Sequence, residues 1–221
     1  MIEERMIIGI SKDIIVQEHI ARYIFANNYV QNKIVLDAAC GSGYGSYMMA
    51  QTAKTVYGVD ISDTALNMAN KLYHAENTIY SKGDIRILNF KNNTFDVVVS
   101  FETIEHILQG SEFLRECHRV LKPGGLLIIS TPNAAVSSPG GRIKNPYHLI
   151  EYRRGEFLNL LWSQFPTVQL YGQHPIVPIP ILRRLFEKTP NYEVQPFKKG
   201  LYIYSYIIAI CSKGVSNEKN L

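Results

Sequence analysis

A chain of 221 residues, 46% apolar and 19% charged, can bury a sizeable core and reads as globular rather than disordered or fibrous. Its formal charge of +4 is too small and scattered for a nucleic-acid footprint, and the pairs Arg183–Arg184 and Lys198–Lys199 read as solvated surface. No run approaches a membrane span; the longest apolar stretch, Ile203 to Cys211, is strand-sized, and Glu3 and Glu4 stand where a signal peptide would be basic, so a cytoplasmic protein is expected.

In chain order, apolar residues at helical spacing (Ile15, Val16, Ile20, Tyr23, Ile24) predict an amphipathic helix from Lys12 to Tyr29. The unbroken apolar run Ile34, Val35, Leu36 fits a strand covered on both faces. A glycine turn (Gly41, Gly43, Gly45) follows and opens a second helix through Met48, Met49 and Ala53. Thr55 to Asp60 predicts a second strand, with Ser62 or Asp63 capping a helix that runs to Tyr73. Thr78 to Tyr80 and Phe95 to Phe101 predict the third and fourth strands. A helix from Phe113 to Leu121 is stopped by Pro123, Gly124 and Gly125 before a fifth strand, Leu126 to Ser130.

Strands alternating with helices at this pitch give a doubly wound, Rossmann-like α/β sheet, mostly parallel, with helices on both faces. Beyond Thr131 the pattern loosens. Pro132, Pro139, Gly140, Gly141 and Pro146 mark a loop, Arg153 to Trp162 a helix, Val168 to Tyr171 a strand and Leu201 to Cys211 the last strand. The aliphatic, proline-rich segment from Pro175 to Phe186 reads as a lid or a dimer patch. The whole chain, 1–221, is read as one domain: a helical leader 1–30, a cofactor-binding half 31–133, a substrate-side half 134–212 and a tail 213–221. The three cysteines (Cys40, Cys117, Cys211) are too widely spaced for a disulfide framework or a zinc site.

The turn after the first strand carries the first chemistry. A ligand can lie against its backbone at the start of the next helix, as nucleotide cofactors do. The third glycine stands one position earlier than in the dinucleotide fingerprint G-x-G-x-x-G, where Ser46 is found instead. Asp37, at the strand's end, would repel a pyrophosphate but attract an ammonium and a sulfonium, both of which S-adenosylmethionine carries. Asp60 lies nineteen positions after Gly41, near the spacing at which an acid meets a ribose diol, and Ile61 would pack on adenine. Asp84 can accept from the adenine amino group while the Ile85 amide donates to the ring.

The strings DAACGSGYG, GVDIS, GDI, FDVVVSFETIEH and RVLKPGGLLIIS, in this order, resemble the class I S-adenosylmethionine-dependent methyltransferases from about Ile34 to Asn133. The resemblance implies seven strands with the last inserted antiparallel. It also implies cofactor contacts at Asp37, Ala38, Gly41, Ser42, Gly43, Tyr44, Asp60, Ile61, Asp84, Ile85 and the backbone near Phe101.

Methyl transfer to a hydroxyl further requires a way to lose a proton, which draws attention to Glu102, Glu105 and His106 just after the fourth strand. At i, i+3 and i+4 these side chains would share a helical face. Two readings stay open. His106 acts as a general base oriented by a glutamate, or Glu102, Glu105, His106 and His148 hold a divalent cation such as Mg²⁺. The E-x-x-E-H pattern with a later histidine is similar to metal-assisted O-methyltransferases of ubiquinone biosynthesis and of small-RNA 3′ ends.

The flanking phrases ERMIIG, STPN and NPYHLIEYRRGEF resemble bacterial methyltransferases of glycan synthesis. That suggests a sugar, nucleotide-sugar or similar small polyol as acceptor, with Tyr147, His148, Tyr152 and Trp162 as stacking walls. A non-catalytic S-adenosylmethionine-binding regulator or subunit is the alternative of another class.

Overall fold

The computed structural model describes residues 13–176, 192–197 and 203–215. Eight strands form one sheet in the order β3-β2-β1-β4-β5-β8-β6-β7. β1 (Ile34–Ala38), β2 (Thr55–Asp60), β3 (Thr78–Lys82), β4 (Phe95–Ser100) and β5 (Leu121–Pro132) run parallel to one another. β8 (Ile203–Ser212) runs antiparallel between β5 and β6 (Thr167–Ile176), so the last strand is inserted as expected. The expected count of seven becomes eight through β7 (Gln195–Pro196), a two-residue edge strand whose short ladder to β6 leaves no periodicity to read.

Strand alternation divides the core between two helical layers. Val35, Val97, Val99 and Ile128 pack with Tyr23, Ala26 and Val30 of α1 (Asp13–Val30) and with Met49 and Ala50 of α2 (Tyr44–Ala50). Leu36, Ala38, Val98 and Leu127 pack on the other face with Phe113, Leu114 and Cys117 of α4 (Gly110–Val120) and, beyond the short helix α5 (Ala134–Ser137), with Phe157 and Leu161 of α6 (Arg154–Trp162). α3 (Asp63–Leu72) starts at Ser62, whose hydroxyl accepts from the Ala65 amide. All three cysteines are buried and unpaired.

Three expected boundaries shift. β3 and β6 are longer than their apolar runs: exposed Ser81 and Lys82 extend β3 at the sheet's edge, and β6 continues past Tyr171 through buried Gln173 to Ile176 on its ladder with β8. β5 begins at Leu121, so Pro123, Gly124 and Gly125 form an irregularity inside the strand; the ladder jumps from Phe95↔Leu121 to Val97↔Leu126. The segment after β4 is no α-helix: Glu102 has φ +51 and only Ile104–His106 make a 3₁₀ turn, so Glu102, Glu105 and His106 do not share a helical face. Arg183–Arg184, Lys198–Lys199, most of Pro175 to Phe186 and the end of the tail lie outside the described residues.

Candidate functional site

The strand order reverses between β1 and β4, and a cleft of about 1220 Å³ opens at the carboxyl ends there. One end is walled by the glycine turn. Gly41 takes φ +55, and a Cβ added there would meet nothing within 4 Å, so its backbone faces open space. Gly43 and Gly45 serve packing instead: a Cβ would stand 2.5 Å from the Ala69 Cβ and 2.0 Å from the Tyr23 ring, respectively. The early third glycine is thus the seat of Tyr23.

Alternation along β1 puts Asp37 on the face of Val35, toward α1 and α2. It is fully buried, accepting from the Ser46 hydroxyl at 2.6 Å and the Tyr23 hydroxyl at 3.2 Å. Burial raises its pKa to about 7, the two hydroxyls acting against that rise. Asp37, Ala38 and Gly43 lie beneath the cleft, not on its wall. Ser42, Tyr44, Asp60, Ile61, Asp84, Ile85 and Phe101 do line it.

Asp60 holds the turn in shape, accepting from the Gly41 amide at 2.8 Å and the Ser62 amide at 2.9 Å. Asp84 is gripped by Arg86 through Nε and Nη2, the latter at 2.6 Å, which keeps its carboxyl below the usual range. Arg86 and Gln109, which also line the cleft and bond each other at 3.1 Å, carried no recognisable motif in the sequence. Open backbone at Gly41, the Asp60 and Asp84 carboxylates, and the apolar Ile61 and Ile85 suit a nucleoside with an attached amino-acid moiety.

The other end gathers the acid–base groups. Glu105 is fully buried; its Oε2 accepts from Thr131 at 3.1 Å, and its Oε1 has no partner among the described residues. Burial and the neighbouring Glu102 carboxylate push its pKa well above the ordinary value. The Glu105 carbonyl accepts from the Leu149 and Ile150 amides at 2.8 and 3.1 Å, and His106 Nδ1 lies 3.0 Å from the Tyr147 carbonyl. These bonds dock the post-β5 loop, bringing His148 against His106 with ring centroids 5.1 Å apart.

His148 Nδ1 sits 2.7 Å from Glu151, which also accepts from Ser138 at 2.6 Å. Ligand-capable atoms of Glu105, His106 and His148 all lie within 4.8 Å of one another. Glu102 stands apart from that trio, its Oε1 receiving the Ser130 hydroxyl at 2.6 Å. Of the expected stacking walls, Tyr147 and His148 line the cleft; Tyr152 packs against Phe157 and Trp162 lies exposed at the end of α6.

Glu18 and His19 of α1, with His174 of β6 and Tyr206 of β8, complete the wall, and no sequence motif announced them. His19 Nδ1 is 2.9 Å from the Tyr44 hydroxyl, and burial lowers its pKa, helped by Arg22.

Residues 36–129 match the family described as a methyltransferase domain. A probable S-adenosylmethionine-dependent methyltransferase of Mycolicibacterium smegmatis is 37% identical over 128 residues, 58% of this chain and 49% of the relative. A ubiquinone biosynthesis O-methyltransferase of Coxiella burnetii is 34% identical over 116 residues, 51% of this chain and 49% of the relative. The chain thus spans about half the length of the curated relatives it matches. Among solved structures, the YcgJ protein of Bacillus subtilis superposes with TM-score 0.67 at 17% identity, covering 90% of this chain and all 100% of that one. A methyltransferase of Mesorhizobium loti gives 0.60 at 17%, covering 88% and 99%. At these identities the likeness is one of fold.

Proposed function

We propose that this chain, whose residues 36–129 match a methyltransferase domain, is a class I S-adenosylmethionine-dependent methyltransferase and methylates a hydroxyl of a small polyol, a sugar being the leading candidate. Bound S-adenosylmethionine supplies a methyl group on a positively charged sulfur. The chain's part is to hold the donor along Gly41, Asp60 and Asp84, to align an acceptor oxygen beside Phe101 and Glu102, and to manage its proton.

The observation that carries the hydroxyl acceptor is the orphaned Oε1 of Glu105, buried beside two imidazoles. An unpaired carboxylate oxygen at that depth is costly unless a cation or a proton meets it. Glu105, His106 and His148 fit a divalent cation once His148 Nε2 releases the Asn145 side chain 3.0 Å away; the cation would lower a hydroxyl's pKa, and Glu102 stays outside that ligand set. His106 as a general base is the rival use of the same group. Its Nδ1 is committed to the Tyr147 carbonyl, leaving Nε2 to accept.

Cleft charge narrows the acceptor. Glu18, Asp60, Asp84, Glu102, Glu105 and Glu151 line it against the cations Arg86 and Lys144. That balance disfavours phosphorylated acceptors, so an uncharged glycoside suits the cleft better than a nucleotide-sugar or an RNA end. Likeness to the ubiquinone O-methyltransferase keeps a phenolic quinone precursor as the second acceptor class. No helix among the described residues is long and apolar enough to cross a membrane, and three unpaired buried cysteines suit the cytoplasm.

The test is transfer from S-adenosylmethionine to methyl glycosides and to 3,4-dihydroxybenzoate, with Mg²⁺ and with chelator. Turnover lost to chelator and restored by Mg²⁺ supports the cation reading, and turnover indifferent to chelator leaves His106 as the base. Calorimetric binding of S-adenosylhomocysteine without transfer to any acceptor favours the non-catalytic regulator, and absence of that binding removes the whole reading.

A further inference from the structure

A second histidine–carboxylate pair faces the same cleft, built from three elements remote in sequence. His174 Nδ1 lies 2.6 Å from Glu18 Oε1, and the Tyr206 hydroxyl donates to Glu18 Oε2 at 2.8 Å. Glu18 is 3% exposed, whereas 29% of the His174 side chain remains accessible. A carboxylate accepts only, so in the neutral ring the proton between them sits on Nδ1 and Nε2 is left as the acceptor.

The support beneath is extensive. The Gln173 amide donates to the Glu18 carbonyl at 2.8 Å and receives Arg22 Nη1 at 2.6 Å, and the Arg22 guanidinium stacks 4.7 Å from the Tyr206 ring. His174 itself is held at φ +53, a conformation a β-strand residue adopts only when its surroundings impose it. A pair serving only to join α1 to β6 needs neither the strain nor an accessible ring edge.

We propose that His174 is a catalytic base that takes the acceptor's hydroxyl proton, with Glu18 the positioning residue that fixes its tautomer. The proposal rests on the hydroxyl-acceptor reading, and it gives the proton a destination when Glu105, His106 and His148 are committed to a cation. The balance is simple. The acceptor oxygen's electron pair forms the new bond to the methyl carbon, the methyl–sulfur pair stays on sulfur as a neutral thioether, and the hydroxyl proton passes to Nε2 and then to water.

The test has two arms. Long-range ¹H–¹⁵N correlation on the whole chain, with His174 assigned by loss of its signals in His174→Asn, should show the Nδ1–H tautomer. Glu18→Gln should populate the Nε2–H form, because an amide nitrogen can donate to the ring where a carboxylate cannot. A dominant Nε2–H tautomer in the natural protein, or a distribution unmoved by Glu18→Gln, overturns the proposal whatever the acceptor proves to be.

In the second arm, methyl α-L-rhamnopyranoside, methyl α-D-glucopyranoside and 3,4-dihydroxybenzoate are offered with S-adenosylmethionine and Mg²⁺. His174→Asn should lower kcat by about 10²- to 10⁴-fold with the KM for S-adenosylmethionine and Mg²⁺ binding unchanged. Full turnover in His174→Asn overturns the assignment, and if that variant fails to fold, Glu18→Gln carries the kinetic test. Should the natural protein methylate none of the three, the hydroxyl-acceptor reading is what fails, and the tautomer measurement still decides the pair.

Discussion

Replacing Asp37 by Asn tests how the strand-to-helix turn is built. The carboxyl has a pKa of about 7 in the fold against 3.8 when free, a difference of about 3 units or about 4 kcal/mol between its two protonation states. Because the folded pKa is raised, the native chain binds a proton between pH 4 and 7 that the unfolded chain does not. This residue's contribution is therefore most favourable below pH 4, falls as pH rises toward 7, and is level above it.

Asparagine removes that dependence. It keeps one oxygen for the Ser46 hydroxyl, and the Tyr23 hydroxyl must turn to accept from the amide, at a cost of about 1 kcal/mol. The variant should match or exceed the natural protein at pH 8, by up to about 3 kcal/mol, and fall below it near pH 4.5. Urea unfolding followed by circular dichroism at half-unit pH steps measures both curves. A stability difference that stays constant from pH 4.5 to 8 would refute the claim that burial, rather than bonding to the two hydroxyls, governs Asp37.

The turn glycines separate fold from binding. Gly45→Ala drives a Cβ to 2.0 Å from the buried Tyr23 ring and should destabilise by about 3 kcal/mol or more, read by urea unfolding. Gly41→Ala meets no neighbour, so the fold should survive with about 1 kcal/mol of backbone strain, while calorimetric affinity for S-adenosylhomocysteine drops at least about tenfold. Glu105→Gln should abolish Mn²⁺ binding. In the absence of metal it should leave thermal stability at pH 8 equal or higher, since the folded pKa of Glu105 is raised and its ionised form is unwelcome there. Unchanged Mn²⁺ affinity in that variant would remove Glu105 from the ligand set.

The half of the fold proposed to cradle the donor was legible because its signals are local. Apolar runs gave β1, β2 and β4 within a residue or so, Ser62 capped α3 as read, and Asp60 sits at the spacing that brings it to the Gly41 amide. Asp37 shows where local reading stops. Its place at the strand end was right, but which face it takes depends on the alternation of β1 against α1 and α2, so a residue read as a charge facing the ligand is a buried brace under the turn. The helical face assigned to Glu102, Glu105 and His106 failed for a related reason: a spacing implies a shared face only where the backbone is α-helical, and Glu102 has positive φ.

The proposed acceptor side was illegible because its partners are distant in the chain. Glu18 meets His174 across 156 positions and Tyr206 across 188, and no periodicity or motif encodes such a meeting. What joins them is sheet order. β8 enters antiparallel between β5 and β6, which carries Tyr206 and His174 together to Glu18 in the first turns of α1. The cleft thus receives one imidazole pair from the loops after β4 and β5, His174 from β6 and His19 from α1, and the inserted strand brings β6 to that edge. If the first pair activates the hydroxyl and His174 removes its proton, then losing β8's register should abolish transfer while leaving donor binding on β1, β2 and β4 intact. Ile207→Asp, which buries a charge in β8 against the α6 face, supplies that separation: S-adenosylhomocysteine affinity retained with turnover gone is the expected result, and joint loss of both would show that the two ends of the cleft fold as one unit.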